Sequence, residues 1–302
     1  MSTQHFQTRF KTLLQREWMQ HHKGWLIAML ALPVIALLAL PFGGVQIGEA
    51  RDLPPTESVG AIMAATMLAV WGITVLMTSF SLPGLARRDH QDRSIEFWLS
   101  LPASHSESLI ATLFMHTIFV LVLALGVGLI SGVVMALAIT LKLGGFAVWT
   151  QVSWYQLVLP ALAVMGRLAL GSVLFTLWIA PLFMVFMVAA AWLKRWGVPA
   201  VITAVVATGV TLHKVYQNPI VWNLLAEQLK GAGSAFFDAM HMIGEGEPSV
   251  RLEVRGVSDV LSWAGHDVAA ALAQTASPHF VGGLVVAAIC FGLLILHRRN
   301  SH

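Results

Sequence analysis

Long apolar runs alternate with short polar stretches along the chain, and this pattern predicts a bundle of membrane-spanning helices. A helix needs about 20 apolar residues to cross the hydrocarbon core of a bilayer. The runs that approach or exceed that length contain no Asp or Glu, and they cover residues 25–42, 59–85, 109–141, 168–192, 196–212 and 280–296. We therefore expect an all-α integral membrane protein with six transmembrane helices, in which residues 1–302 form a single domain.

Two polar regions predict helices that lie outside the spans. In residues 1–23, apolar side chains recur at near-helical spacing among basic ones, which predicts an amphipathic helix in the membrane interface. The apolar residues are Phe6, Phe10, Leu13, Leu14 and Trp18. Residues 213–279 are the only long polar region, and we expect a small outer helical region there. Within it, Met240, His241 and Met242 have the soft ligands that suit Cu(I). The same three residues also fit a helix surface that crosses the outer leaflet.

Arg167 interrupts the apolar stretch 152–192, which is too long for one span and too short for two spans with a turn. We expect residues 154–165 to form a helix on the outer surface, or one that dips in and out of the membrane. Arg167 would then lie at the outer boundary, where its long side chain can snorkel. If Arg167 lies at mid-depth, a functional role becomes the default interpretation.

The third apolar run contains two features that bear on packing. Gly128 and Gly132 are four residues apart, and such a pair permits a neighbouring helix to approach closely. His116 lies one or two turns into the run, and we expect it to be a satisfied interfacial histidine.

Residues 87–107 are the longest charged interruption between apolar runs in the first two thirds of the chain. Ile95, Trp98 and Leu99 lie at i, i+3 and i+4 and would share one helix face. The polar side of that helix would consist of Arg88, Asp89, Asp92, Arg93 and Glu96. The spacing predicts a short amphipathic helix between two spans, although it also fits a solvated loop that lies on the lipid headgroups.

The end of this stretch has signals for a helix break and a new helix. Pro102 ends the short helix, because the residue before a proline is disfavoured in the helical region. Ser104 is followed three residues later by Glu107, which predicts a capping box at the start of the next helix.

The order of residues in this stretch resembles the loop after the second span of exporter-type ATP-binding-cassette (ABC) permeases of the second family, ABC-2 type, which have six spans per subunit. The matching residues are Arg93, Glu96, Trp98, Leu99, Leu101, Pro102 and Ser104. The commoner family version has Gly-Thr where this chain has Arg93 and Ser94, so the resemblance is to a sub-family variant.

The resemblance implies that this stretch is a coupling helix that docks on a separate ATPase subunit. The implied docking residues are Arg88, Asp89, Arg93, Ile95, Glu96, Trp98, Leu99, Leu101 and Pro102. It also implies two copies of an ABC ATPase that carry ATP and Mg, and a second permease subunit that is identical or similar to this chain. The N-terminal helix would run along the cytoplasmic surface and touch the ATPase.

Composition narrows the classes of function. Charged residues make up 11% of the chain, against about 25% in soluble domains, so membrane lipids are expected partners. The single cysteine, Cys290, excludes an intramolecular disulfide and cysteine-based metal sites. The net charge of +3 does not indicate nucleic acid binding, because the bases lie beside apolar runs. There is no phosphate-loop motif, so we expect no cofactor on this chain and no enzymatic activity of its own.

The distribution of bases predicts the orientation. With the N-terminus inside, 11 of the 18 bases lie in inner segments: Arg9, Lys11, Arg16, Lys23, Arg87, Arg88, Arg93, Lys194, Arg195, Arg298 and Arg299. The seven outer ones are Arg51, Lys142, Arg167, Lys214, Lys230, Arg251 and Arg255. Because short inner segments carry the excess, we expect both termini in the cytoplasm and the protein in a bacterial plasma (inner) membrane.

The sequence therefore predicts a permease that moves an amphipathic or hydrophobic substrate out of the cytoplasm or membrane. Members of the family move lipids, glycans, peptides and hydrophobic drugs, and the residues do not discriminate among them. An alternative is a non-conducting membrane module that transmits ATPase-driven motion to an outer partner through residues 213–279. An intramembrane enzyme is a third interpretation, although no catalytic set converges in the sequence.

Overall fold

The computed structural model of the protein describes residues 3–43, 54–91, 104–236 and 257–300, and this part of the chain is helical, without a β-strand. The α-helices are α1 (Thr3–Ala39), α2 (Pro55–Gln91), α3 (His105–Phe114), α4 (Val120–Gly144), α5 (Ala147–Thr150), α6 (Trp154–Leu193), α7 (Gly197–Val215), α8 (Ile220–Ser234), α9 (Val257–Gln274) and α10 (Pro278–Asn300). A π-helical turn, Met115–Phe119, joins α3 to α4, and a 3₁₀ turn, Lys194–Trp196, joins α6 to α7.

Five of the described helices are long and apolar enough to cross a membrane: Phe6–Ala39, Pro55–Leu85, His105–Gly144, Trp154–Val215 and Pro278–Asn300. The prediction of an all-α protein with several membrane-spanning helices is thereby confirmed. The fourth candidate is 62 residues long and contains both α6 and α7. The finer layout of six separate spans stays a prediction.

The chain reverses direction between α6 and α7. Lys194 has a φ of 51°, and a Cβ on Gly197 would lie 2.5 Å from the carbonyl group of Ala189. The ring of Trp222 in α8 lies against Gly209, and Gly231 in the same helix lies against Trp178. Residues 222 and 231 are about 14 Å apart along α8, so their partners, residues 209 and 178, must lie at a similar separation. If α6 and α7 formed one unbroken helix, residues 178 and 209 would be about 46 Å apart. Helix α7 therefore folds back along α6.

Two predicted boundaries do not coincide with helix ends. Helix α1 runs without interruption from Thr3 to Ala39, so the predicted interfacial helix (1–23) and the first predicted span (25–42) form one helix. Helix α6 is likewise continuous from Trp154 to Leu193, so residues 154–165 are not a separate outer helix. A change in hydropathy does not end a helix, because each turn is held by its own backbone hydrogen bonds.

Contacts between distant helices define two ends of the bundle. Arg9 of α1 lies 3.9 Å from Glu107 of α3, and we call this the Arg9 end. Lys142 of α4 donates to the carbonyl oxygens of Leu40 and Gly43, beyond the last turn of α1, and we call this the Lys142 end. Helix α1 and the α3–α4 helix therefore run side by side in the same direction.

Helices α2, α6 and α10 run the opposite way. Gly132 and Gly128 of α4 lie against Met63 and Met67 of α2, respectively. Residue numbers therefore rise along α2 as they fall along α4, and α2 ends at the Arg9 end. Leu109, near the start of α3, is in the same buried cluster as residues near the ends of α6 and α10, Met187 and Leu294. Helices α6 and α10 also end at the Arg9 end.

Helices α2 and α4 pack closely against each other. A Cβ built on Gly132 would lie 2.8 Å from the carbonyl oxygen of Met63, and one on Gly128 would lie 3.0 Å from the Cα of Met67. Only residues without a side chain permit backbones to approach this closely. The expectation that the two glycines allow close helix packing is confirmed, with α2 as the partner.

Candidate functional site

Most of the predicted docking residues lie outside the described part of the chain. These are Arg93, Ile95, Glu96, Trp98, Leu99, Leu101 and Pro102. Arg88 and Asp89 lie in the last turns of α2, whose backbone is helical to Gln91. Met240, His241 and Met242 also lie outside the described residues, as does the C-terminal residue His302. The docking role of the 87–107 stretch and the alternative Cu(I) site both stay predictions.

The two ends of this stretch are described, and both are at the Arg9 end. Ser104 Oγ accepts from the backbone N–H of Glu107 at 3.2 Å, and Glu107 Oε2 accepts from the backbone N–H of Ser104 at 3.1 Å. The predicted capping box is confirmed. Because Glu107 also lies 3.9 Å from Arg9, the start of α3 is held against the basic first turns of α1. Residues 92–103 therefore connect two helices whose described ends lie beside the N-terminal part of α1.

A buried polar cluster lies two turns farther along the same helix pair. Glu17 of α1 is 4% exposed. Its Oε1 accepts from Arg16 Nη2 at 2.5 Å and from Thr112 Oγ1 at 3.1 Å. Its Oε2 faces two imidazoles, with His21 Nε2 at 3.7 Å and His116 Nε2 at 3.5 Å. Each carboxylate oxygen thus has a different set of neighbours.

His116 does not match its predicted role as a satisfied interfacial histidine. It is buried in the π-helical turn, and within the described ranges neither of its ring nitrogens has a hydrogen-bond partner. The ring packs edge-on against His21 and Trp25, at centroid distances of 4.6 and 5.1 Å. Sequence reasoning missed this cluster, although Glu17 and His21 at i and i+4 must share one helix face.

Arg167 is buried rather than snorkelling at a surface. Only 2% of it is exposed. Its Nε donates to Asp267 Oδ2 at 2.5 Å, and its Nη1 donates to the carbonyl oxygen of Ala235 at 2.7 Å. Asp267 is in the middle of α9, and Ala235 directly follows α8. Arg167 therefore binds both flanks of the segment 237–256 to helix α6.

Aromatic and amide contacts extend this attachment of the outer region to the bundle. Phe236 packs between Trp71 and Phe175, with ring centroids 4.4 and 4.8 Å away. Gln228 of α8 donates to the carbonyl oxygen of Trp178, and its Oε1 lies 2.9 Å from His279 Nε2. Helices α8 and α9 thus pack on α6 and on the start of α10, as parts of the same folded unit.

An apolar cavity of about 170 Å³ lies between α2, α4 and α6. Its lining includes Met63, Met67, Leu129 and Leu157, and Gln156 supplies the amide group. Such a lining suits a hydrocarbon group and offers no charge to a polar substrate.

Comparisons of this chain with protein-family models, with curated proteins and with solved structures found no match.

Proposed function

We propose that this chain is the permease subunit of an ABC exporter of the second family, moving an amphipathic or hydrophobic substrate out of the cytoplasm or membrane. The observation that carries the proposal is the 87–107 stretch, whose residues resemble the coupling helix of that family. The stretch connects α2 to α3, and both of its ends lie at the Arg9 end of the bundle. An ATPase that docks there would also reach the basic N-terminal part of α1.

The course of the helices supports a six-span arrangement. If α6 and α7 each cross the membrane, the spans are α1, α2, α3–α4, α6, α7 and α10, and they alternate in direction. Both α1 and α10 would then have their terminal residues at the Arg9 end. Bases at positions in the described residues of that end include Arg9, Lys11, Arg16, Arg87, Arg88, Lys194, Arg195, Arg298 and Arg299. The positive-inside rule places such an end in the cytoplasm of a bacterial cell.

The proposed assembly has two permease chains and two ATPase chains. The ATPases bind ATP and Mg, and the substrate pathway lies between the two permeases.

We propose that residues 214–278 form a lid over the outer end of the pathway. They carry seven acids and four bases; the acids are Glu227, Asp238, Glu245, Glu247, Glu253, Asp259 and Asp267. Asp267 is buried and paired with Arg167, but the other six acids still exceed the four bases, and this excess favours cationic substrates at the lid.

The second candidate is a non-conducting module that transmits ATPase-driven motion to an outer partner protein. The observation that favours it is the attachment of the outer helices to α6 through Arg167, since such a link transfers movement of a span to the outer region. Transport by the purified assembly in lipid vesicles separates the two candidates, because only the exporter moves substrate into the vesicle lumen or between leaflets.

The docking assignment predicts the effect of replacing Trp98. In Trp98→Ala, the loss of a fully buried apolar side chain weakens docking by about 1.5–3 kcal/mol, and Trp98→Asp abolishes it. The measurement is co-purification of the partner ABC ATPase with the permease, together with the ATPase rate of the complex. Trp98→Phe is the matched control and keeps both. Unchanged binding and ATPase rate in Trp98→Asp would show that this stretch is not the docking helix.

Topology gives an independent test of the span count. Epitope tags at residue 2 and residue 302 should be accessible only from the cytoplasm, and a tag at residue 246 only from outside. The expected pattern follows from six crossings with the basic Arg9 end inside. Protease or antibody accessibility in right-side-out and inverted vesicles is the measurement. A tag at residue 246 that is reached only from the cytoplasm would contradict two crossings by α6 and α7.

A further inference from the structure

Three metal-ligating side chains converge where α1 meets the π-helical turn. Glu17, His21 and His116 each offer one ligand atom, and these atoms all lie within 4.8 Å of one another. We propose that the three side chains bind a divalent transition-metal ion of the Zn(II) class, which links α1 to the α3–α4 helix. This site is independent of the exporter assignment, because it rests on contacts within one chain.

The distances fit a single ion. Zinc bonds to imidazole nitrogen and carboxylate oxygen are about 2.0–2.2 Å long, so two ligands at a tetrahedral angle lie roughly 3.3–3.6 Å apart. Glu17 Oε2 is 3.5 Å from His116 Nε2 and 3.7 Å from His21 Nε2. Both Glu17 distances are within a few tenths of an ångström of that range. The ligand nitrogens of His21 and His116 lie within 4.8 Å of each other, so the two rings would move toward a shared ion on binding.

Glu17 is already oriented as a metal ligand requires. Thr112 and Arg16 both donate to Oε1, so the carboxylate is fixed and Oε2 alone faces the two histidines. Hydrogen bonds from second-shell groups commonly hold ligating carboxylates in this way. Arg16 also forms an ion pair with Glu17.

His116 provides the second, independent observation. It is 3% exposed, and in the described part of the chain both of its ring nitrogens lack a hydrogen-bond partner. A buried polar group without a partner is costly and needs an explanation. Its helix turn has π geometry, which is rare and frequently occurs at functional sites. A coordinated ion accounts for the orientation of Nε2 toward Glu17.

The donor set selects the class of metal. Two imidazoles and one carboxylate suit Zn(II), and also Fe(II), Co(II) or Ni(II), whereas Mg(II) and Ca(II) prefer oxygen ligands alone and Cu(I) prefers sulfur. Trp25 covers the two histidine rings on the side toward the middle of α1 and is itself 4% exposed. A water or hydroxide would complete the fourth position. Because α1 and the α3–α4 helix both contribute ligands, the ion crosslinks these two helices near the Arg9 end.

Direct metal binding tests the site. The full chain is purified in detergent with a tag that contains no histidine, stripped with a chelator, and titrated with ZnCl₂ or CoCl₂ alone. We expect one ion per chain, tetrahedral Co(II) absorption bands in the visible region, and a higher melting temperature with Zn(II). Glu17→Gln and His116→Ala should each weaken binding at least 10-fold and abolish the bands, and Thr112→Val should weaken binding about 10-fold or more.

His22→Ala is the matched control. His22 lies on the same helix, one residue from a proposed ligand, with its Nδ1 3.0 Å from the carbonyl oxygen of Trp18. This variant should bind the ion as the wild type does. Two results would overturn the proposal: no stoichiometric binding by the wild type, which would leave a protonated His–Glu network as the explanation, or equal binding by the folded His116→Ala variant, which would place the ion elsewhere.

Discussion

Replacing Arg167 by Leu will destabilise the protein by about 3–5 kcal/mol, because it leaves the carboxylate of Asp267 buried without its partner. Asp267 is 6% exposed, and its Oδ2 lies 2.5 Å from Arg167 Nε. The same change removes the donor to the carbonyl oxygen of Ala235. The measurement is the free energy of unfolding in detergent micelles, followed by tryptophan fluorescence.

Paired variants test whether Arg167 and Asp267 stabilise each other. Asp267→Leu should cost a similar amount, and the double variant Arg167→Leu/Asp267→Leu should cost much less than the sum, since removing both charges is often near neutral. Asp259→Asn is the control, because Asp259 is exposed on the same helix and the amide keeps an acceptor for Ser258 Oγ; conservative surface changes usually stay within about 0.5 kcal/mol. Additive losses in the double variant would show that the two charges do not stabilise each other.

Replacing Gly132 by Ala will separate α2 from α4 and destabilise the bundle by about 1–3 kcal/mol, the usual cost of forcing extra volume into a packed contact. The new Cβ would lie 2.8 Å from a backbone oxygen of Met63, and backbone cannot swing away as a flexible side chain does. Unfolding in detergent measures the loss, and crosslinking between cysteines introduced in α2 and α4 reports the spacing.

Gly126 of the same helix supplies the matched control. A Cβ at Gly126 meets nothing within 4 Å, so Gly126→Ala should be neutral or stabilising by up to about 1 kcal/mol through helix propensity. Gly128→Ala should resemble Gly132→Ala, since its Cβ would lie 3.0 Å from Met67 Cα. Equal stabilities for the variants at positions 126 and 132 would contradict the close packing described here.

Short-range patterns predicted local structure well. Ser104 and Glu107 are three residues apart, and the capping box forms between them as expected. Gly128 and Gly132 are four residues apart, and both face α2. These signals succeed because the interacting positions are set by the geometry of one helix, which the sequence spacing states directly.

Helix boundaries were less predictable from hydropathy. The polar stretch before residue 25 indicated a separate surface helix, yet α1 continues through Lys23 and Gly24 without a break. No proline occurs at this point, and Gly24, a residue type common just after a helix C-terminus, does not end the helix here. Pro33 and Pro160 also lie inside continuous helices. Hydropathy describes the surroundings of a helix, whereas its ends depend on caps and backbone hydrogen bonds.

The buried polar contacts were beyond sequence reasoning because their partners are distant in the chain. Arg167 meets Asp267 across 100 residues, and Glu17 meets Thr112 across 95. From the sequence, Arg167 was expected to snorkel at the outer boundary, or to have a functional role if it lay at mid-depth. Only the fold identifies α9 as the element that supplies its counter-charge. For Glu17, the i, i+4 relation to His21 was visible, and the contribution of the π-helical turn was not.

The same separations have a consequence for synthesis of the chain. Ribosomes add roughly 5–20 residues per second. Thr112 is therefore made on the order of 5–20 s after Glu17, since 95 residues separate them, and Asp267 is made about as long after Arg167. During that interval each charge is without the distant partner that stabilises it when buried. Helices α1 and α6 therefore reach their final packing only after α3 and α9, respectively, have emerged, and the nascent protein passes through a stage in which these charges still require water or lipid headgroups.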